Sequence, residues 1–182
     1  AADHTLLSDP GAFFQALLEV HAESEILFDS SWFEENQRQR GLWVDQMQHD
    51  AEKEAEGSSN LHPLKLALEV QAAMGSDDWL VIDGGNTHFW SEIAINMAGW
   101  RGKKLKGILH PGAFSMLGVG VPFAIAAKLK HPQDNVVVIS GDGAFLSGGL
   151  SIEASFQEKA PITVVIDNNG GLTTISQQQE RL

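Results

Sequence analysis

Three short runs of apolar residues dominate the second half of the chain: Trp79–Asp83, Asn135–Ser140 and Pro161–Asp167. Each is continuous in Val, Ile or Leu rather than alternating, which predicts strands covered on both faces of a parallel sheet. Each run stops at a polar turn, at Gly84-Gly85-Asn86, Gly141-Asp142-Gly143 and Asn168-Asn169-Gly170-Gly171. Between and before them lie stretches with helical spacing. Leu61–Met74 has Pro63 suited to its first turn and Gly75 just past its end. Gly120–Lys130 stops at His131-Pro132, and Gly149–Lys159 stops at Ala160-Pro161. Alternating strands and helices predict βαβ units, hence an α/β fold with three layers, α/β/α, and a mostly parallel sheet.

The first third has another pattern. Asp9-Pro10 opens a helix through Val20, and Ser31–Glu56 is polar, with Trp32, Trp43 and Met47 spaced through it. Asp50–Glu56 reads as a solvated helix face, and Gly57-Ser-Ser-Asn60 as a linker or turn. Trp32, Trp43, Trp90 and Trp100 are expected in core or interface packing.

Composition narrows the possible partners. The chain has 182 residues, enough for one good core, and a formal net charge of −12. Such a field repels nucleic acid and anionic membranes, so an anionic ligand must be held by local features. There is no cysteine, which excludes disulfides and thiolate or iron–sulfur ligation. No apolar run approaches the roughly 20 residues that span a bilayer, and a cytoplasmic location is expected.

The candidate chemistry sits at the carboxyl ends of the strands, where open parallel sheets bind ligands. There the chain supplies Asn86-Thr87, Asp142 and Asn168-Asn169. Asp142, the amide of Asn169 and a freed carbonyl at Gly171 form an oxygen-only set, which suits Mg²⁺. Gly141 and Gly143 let a ligand approach the main chain, and the amides of Gly143 and Ala144 are placed to hold phosphate. Alone, Asp142 between two glycines reads as a turn carboxylate. Its spacing from Asn168-Asn169, across one helix and one strand, makes it a metal-ligand candidate. Gly118 and Gly120 suggest a dinucleotide fingerprint only weakly, since no strand clearly precedes them and position 123 is Phe. His88 and His110 read as ordinary loop histidines, with substrate contact or proton transfer as the alternative. The other histidines are read as surface residues.

Gly141-Asp142-Gly143 followed by Asn168-Asn169 resembles the GDG…NN signature of thiamine-diphosphate (ThDP) enzymes. Asp83–Trp90 is similar to that family's Asp-x-Gly loop. Phe114–Lys128 resembles the Gly-rich segment and helix of the acetolactate synthase, pyruvate oxidase and benzoylformate decarboxylase group. The likeness covers Leu61–Gly171; Leu172-Thr-Thr-Ile-Ser176 fits no part of it.

The resemblance implies the ThDP-binding fold and a division into three parts. Residues 1–25 would be the tail of a preceding central domain, 26–60 a linker with a helix, and 61–182 the diphosphate-binding domain, incomplete at its C-terminal end. Asp142, Asn169 and the Gly171 carbonyl would ligate Mg²⁺. Asn86, Thr87, Gly143 and Ala144 would touch the diphosphate beside Gly141. Leu117 would wedge the cofactor into its bent form, and the Ser115 carbonyl would accept from its aminopyrimidine. The bend brings an exocyclic nitrogen against the thiazolium C2, so that proton removal becomes intramolecular.

The activating glutamate of the family lies in another domain. The resemblance therefore implies a fragment of a longer chain, or a partner subunit that supplies the pyrimidine-binding half, within a homodimer or homotetramer. The implied activity is cleavage or formation of a C–C bond next to a carbonyl, on a 2-oxo acid. The alternatives are a 2-oxo acid oxidase or oxidoreductase component, with FAD possible in the central domain, and a non-catalytic assembly module with a vestigial site. A nucleotide-binding α/β domain unrelated to thiamine is a further alternative.

Overall fold

The computed structural model describes residues 5–23, 30–56 and 61–180. The chain divides into two compact units, one ending at Trp43 and the other starting at Val44. In the first unit, Asp9 Oδ1 accepts the Ala12 amide at 3.0 Å and so caps helix α1 (Pro10–Glu23). The helix runs past Val20 and leaves Phe14, Leu17 and Leu18 exposed. Helix α2 (Ser30–Glu56) forms through the polar stretch, supported by neighbours three and four positions apart. Glu35 illustrates this: hydrogen bonds from Arg38 and then Gln39 hold its carboxyl down at about 2. The turn expected at Gly57–Asn60 and the junction expected at 25/26 lie outside the described residues.

In the second unit four strands form one parallel sheet, in the order β2-β1-β3-β4. They are β1 (Trp79–Ile82), β2 (Gly107–Leu109), β3 (Val136–Gly141) and β4 (Thr163–Asp167). Successive side chains of a strand point to opposite faces, and both faces here are apolar. Leu80, Ile82 and Ile139 pack with Val44 and Ala51 of α2, with Leu64 and Ala67 of α3 (Pro63–Ala73), and with Ala94 and Met97 of α4 (Asn86–Trp100). Val81, Val136 and Val138 pack against Ala124 and Ala127 of α5 (Gly120–Lys130). Three layers result. Each fully buried Leu, Ile or Val contributes roughly 1.5–3 kcal/mol.

Several local expectations need correction. The segment expected as a single helix over Gly149–Lys159 is a 3₁₀ turn (Gly149–Ser151) followed by α7 (Ile152–Gln157), and a separate helix, α6 (Asp142–Gly148), precedes it. Gly148 and Gly118 meet backbone to backbone there, so no side chain fits at either position. Neither β2 nor α4 is evident in the sequence pattern. Strand β2 has three residues and starts at Gly107, over which the Trp79 ring lies. Helix α4 begins directly after Gly85, whose φ of +94° breaks the strand, and no side chain caps it. Of the tryptophans, Trp90 leans on the core, whereas Trp32, Trp43 and Trp100 are exposed, which leaves only the interface half of their expectation. Two histidines are not simple surface residues. His62 caps α3 through Nδ1, and His131 stacks on Trp79.

The chain leaves β1 for β2 at one edge and returns to β3 on the other side of β1. That reversal opens a crevice beyond the carboxyl ends of β1 and β3.

Candidate functional site

Asp83 follows β1 and is 1% exposed. Its Oδ1 accepts the amides of Gly84 and Gly118, at 2.8 and 2.9 Å. Its Oδ2 accepts the amide of Gly120 at 3.0 Å and the Ser140 hydroxyl at 3.2 Å. One carboxylate thus joins the end of β1, the entry to α5 and the end of β3. Hydrogen bonds to a charged group contribute about 1.5–3 kcal/mol each, which offsets the cost of burying it. Gly120 must lack a side chain, because a Cβ would lie 2.8 Å from Asp83 Oδ2. A second buried carboxylate, Asp167 at the end of β4, accepts the Thr87 hydroxyl at 2.8 Å.

Above these anchors lies a cavity of about 340 Å³. It is lined by ten of the residues singled out in the sequence: Asn86, Thr87, Ser115, Leu117, Gly141, Asp142, Gly143, Ala144, Asn169 and Gly171. The loops after β1, β3 and β4 and the segment before α5 each bring part of the wall. Three details refine the expectations. The Thr87 side chain is buried and committed to Asp167, so this position offers its main chain rather than its hydroxyl. Asp142 Oδ1 accepts the Gly143 amide at 2.7 Å, which fixes the carboxylate on its own loop. The Gly171 carbonyl accepts the Thr173 amide at 2.9 Å and keeps its second lone pair. Of the asparagine pair, Asn169 lines both the cavity and an adjoining cleft, and Asn168 lines only that cleft, with Trp90 and Gln177.

Ser115 has φ +47°, a left-handed conformation that non-glycine residues adopt only under constraint. Its amide donates to the Gly112 carbonyl at 3.1 Å and closes a 3₁₀ turn (Gly112–Phe114). The strain, of order 1–3 kcal/mol, sits at the wall of the cavity. Leu117 packs over Gly84, where a Cβ would lie 2.7 Å from its Cδ2.

Sequence reasoning missed the stretch Leu172–Ile175, which also lines the cavity. The hydroxyls of Thr173 and Thr174 are buried and have no hydrogen-bond partner among the described residues. A buried polar group without a partner costs about 1–3 kcal/mol, so two such hydroxyls on a pocket wall mark donors placed for an acceptor. The available signal was Gly170-Gly171 followed by two hydroxyl side chains. His88 lines the cavity from the first turn of α4, not from a loop. His110 does not line it.

Asp142 and His88 are the titratable side chains among the cavity's lining residues. The wall is otherwise main-chain amide, hydroxyl, carboxamide and apolar surface. Such a wall binds and orients; it lacks a paired acid and base of its own. The donor set fits a hard divalent ion with a phosphate-bearing ligand: carboxylate, carboxamide and carbonyl oxygens on one side, amides and hydroxyls around them.

Comparisons with known proteins agree with this chemistry. Residues 83–182 match the family model of the thiamine pyrophosphate enzyme, C-terminal TPP binding domain. The chain is 30% identical to 2-hydroxyacyl-CoA lyase 2 of Bos taurus over 177 residues, 94% of this chain and 26% of that protein. It is 33% identical to the catabolic acetolactate synthase of Raoultella terrigena over 122 residues, 66% of this chain and 21% of that protein. It is 35% identical to the acetolactate synthase large subunit IlvG of Mycobacterium tuberculosis over 111 residues, 60% of this chain and 19% of that protein. The chain thus spans about a fifth to a quarter of these relatives.

Proposed function

This chain belongs to the thiamine pyrophosphate (ThDP) enzymes, and on that premise we propose that its cavity holds ThDP through Mg²⁺ in an enzyme that makes or breaks a C–C bond beside a carbonyl. The substrate class is a 2-oxo acid or a related 2-hydroxyacyl compound, by analogy with the activities for which the relatives are named. The observation that carries the reading is the convergence of Asp142, Asn169 and Gly171 on the cavity that also contains Ser115 and Leu117.

Asp142, Asn169 and the Gly171 carbonyl would hold Mg²⁺. The amide of Ala144, the side chain of Asn86 and the hydroxyls of Thr173 and Thr174 would hold the diphosphate, and the Gly143 amide would join them on leaving Asp142 Oδ1. Leu117, backed by Gly84, would bear on the middle of the cofactor, and the Ser115 carbonyl would take a hydrogen bond from its aminopyrimidine. Bound ThDP supplies the nucleophilic carbon and the electron sink; the chain supplies binding, orientation and exclusion of water. Phe114 and Met116, exposed beside Ser115 and Leu117, suit the apolar surface of a second polypeptide. We place the pyrimidine-binding half there, in an assembly of at least two subunits.

Calorimetric titration with ThDP in excess Mg²⁺ tests the reading. Saturable binding is expected, together with a loss on the order of 100-fold for Asp142→Ala, which corresponds to about 2.7 kcal/mol. Binding indifferent to that substitution or to chelation would refute it.

A further inference from the structure

Beside the cavity, between α4 and the end of β2, three side chains converge that the reading above does not use. His88 and Glu92 lie four positions apart on one face of the helix, and His88 Nε2 is 2.9 Å from Glu92 Oε1. His110 stands just beyond the end of β2, its ring centroid 5.5 Å from that of His88. One ligand atom from each of the three residues lies within 4.8 Å of the other two. Among the described residues this is the one such group of three. A second observation singles out the same place: His88 Nδ1 is buried and has no hydrogen-bond partner. The one hydrogen bond of the His88 ring is that of Nε2 with Glu92, so an ion that takes both groups as ligands displaces that bond alone.

We infer that His88, Glu92 and His110 form a binding site for a divalent transition-metal ion of the zinc class. Two imidazoles and a carboxylate suit Zn²⁺, Co²⁺ or Ni²⁺, whereas the oxygen-only set around Asp142 suits Mg²⁺. The chain therefore presents two sites of different hardness, close together but chemically distinct. Ligand atoms around a tetrahedral ion with bonds of about 2.0–2.1 Å stand roughly 3.4 Å apart. The ligand atoms here lie within 4.8 Å of one another, so side-chain rotation is needed to close them on an ion. Glu92 is half exposed, which leaves water as the fourth ligand. The Gly112 amide donates to His110 Nδ1 at 3.2 Å; it is exposed, so solvent replaces that bond if the metal shifts the ring. A bound ion would clamp α4 to the start of the segment 110–118, which brings Ser115 and Leu117 to the cavity.

Cobalt(II) is the probe, because its visible absorption reports nitrogen and oxygen ligation directly. The full chain, with ThDP and Mg²⁺ present in one arm and absent in the other, is titrated with Co²⁺. One equivalent should bind in both arms with visible bands, and Zn²⁺ should bleach them. His110→Asn and Glu92→Gln should each weaken binding at least tenfold while circular dichroism stays unchanged, and Asp142→Ala should keep it. The site is overturned if no band appears, if both substitutions leave the titration unaltered, or if Asp142→Ala alone abolishes it. The arm without ThDP keeps this result separate from the fate of the cofactor reading.

Discussion

The two walls of the cavity are built on opposite principles. On one wall Asp83 gathers three amides and a hydroxyl from segments 35 to 57 residues away and from its own neighbour, and the carboxylate is fully buried. On the other wall, residues 169–175 include two glycines with positive φ and carry two buried hydroxyls with no partner among the described residues. The first wall is complete by itself. The second is complete only when a ligand arrives with acceptors. On the proposed reading, preorganised binding would come from the β1–β3 side, and the segment after β4 would gain its missing partners from the ligand.

The largest test of this contrast is Asp83→Ala. It strands the amides of Gly118 and Gly120 in the interior, at about 1–3 kcal/mol for each donor left without a partner. Urea unfolding should show a loss on the order of 4 kcal/mol, and the cavity should lose affinity for ThDP through misplaced Leu117. Asp83→Asn keeps an acceptor and should lose about half as much. A loss below about 1 kcal/mol for the alanine variant would mean that the first wall does not depend on its buried carboxylate.

The second wall predicts the reverse pattern. Thr173→Val and Thr174→Val remove hydroxyls that make no hydrogen bond in the free protein, so stability should hold or rise slightly. Affinity for ThDP with Mg²⁺ should nevertheless fall, by about three- to tenfold for each substitution, the equivalent of about 0.5–1.5 kcal/mol. Parallel unfolding and calorimetry on the two variants decide the matter. Equal damage to stability and binding would erase the distinction between the walls.

The same contrast explains what was legible in the sequence. The sheet was legible because strands buried on both faces must be continuous in Val, Ile and Leu, as in Val136-Val137-Val138-Ile139. Asp142 and Asn169 were legible as cavity residues because they stand at strand ends with the spacing of the GDG…NN signature. The hub role of Asp83 was not, since its partners Gly118, Gly120 and Ser140 are ordinary residues until the fold brings them together. Thr173 and Thr174 were missed for a related reason: their signal is a hydrogen bond not made. Strand β2 escaped because three residues beginning with Gly107 carry almost no pattern, and β1 supplies its pairing. The His88–Glu92–His110 group joins a helix to a strand end, a juxtaposition that spacing alone does not specify.

The smallest expected effect lies at the opposite end of the sheet and serves as the control for both walls. Near the amino ends of the strands, Lys106 Nζ donates to Asp134 Oδ2 at 2.7 Å, and Trp79 Nε1 donates to the same oxygen at 3.0 Å. The Lys106 hydrogen bond, then that of Trp79, holds the Asp134 carboxyl below its ordinary value of 3.8. A carboxyl with a depressed pKa stabilises the fold above its unfolded value, and that contribution disappears as pH falls through the depressed one. Lys106→Met should therefore be slightly less stable than the parent at pH 6, and the difference should shrink below about pH 4 as Asp134 protonates in both proteins. Salt should shrink it too, since the pair is partly exposed. Affinity for ThDP should stay within about twofold of the parent, because no wall of the cavity draws on this cluster. A larger change in affinity would show that the two ends of the sheet are coupled, and the Asp83 hub, which ties β1 to β3, would then be the element through which that coupling passes.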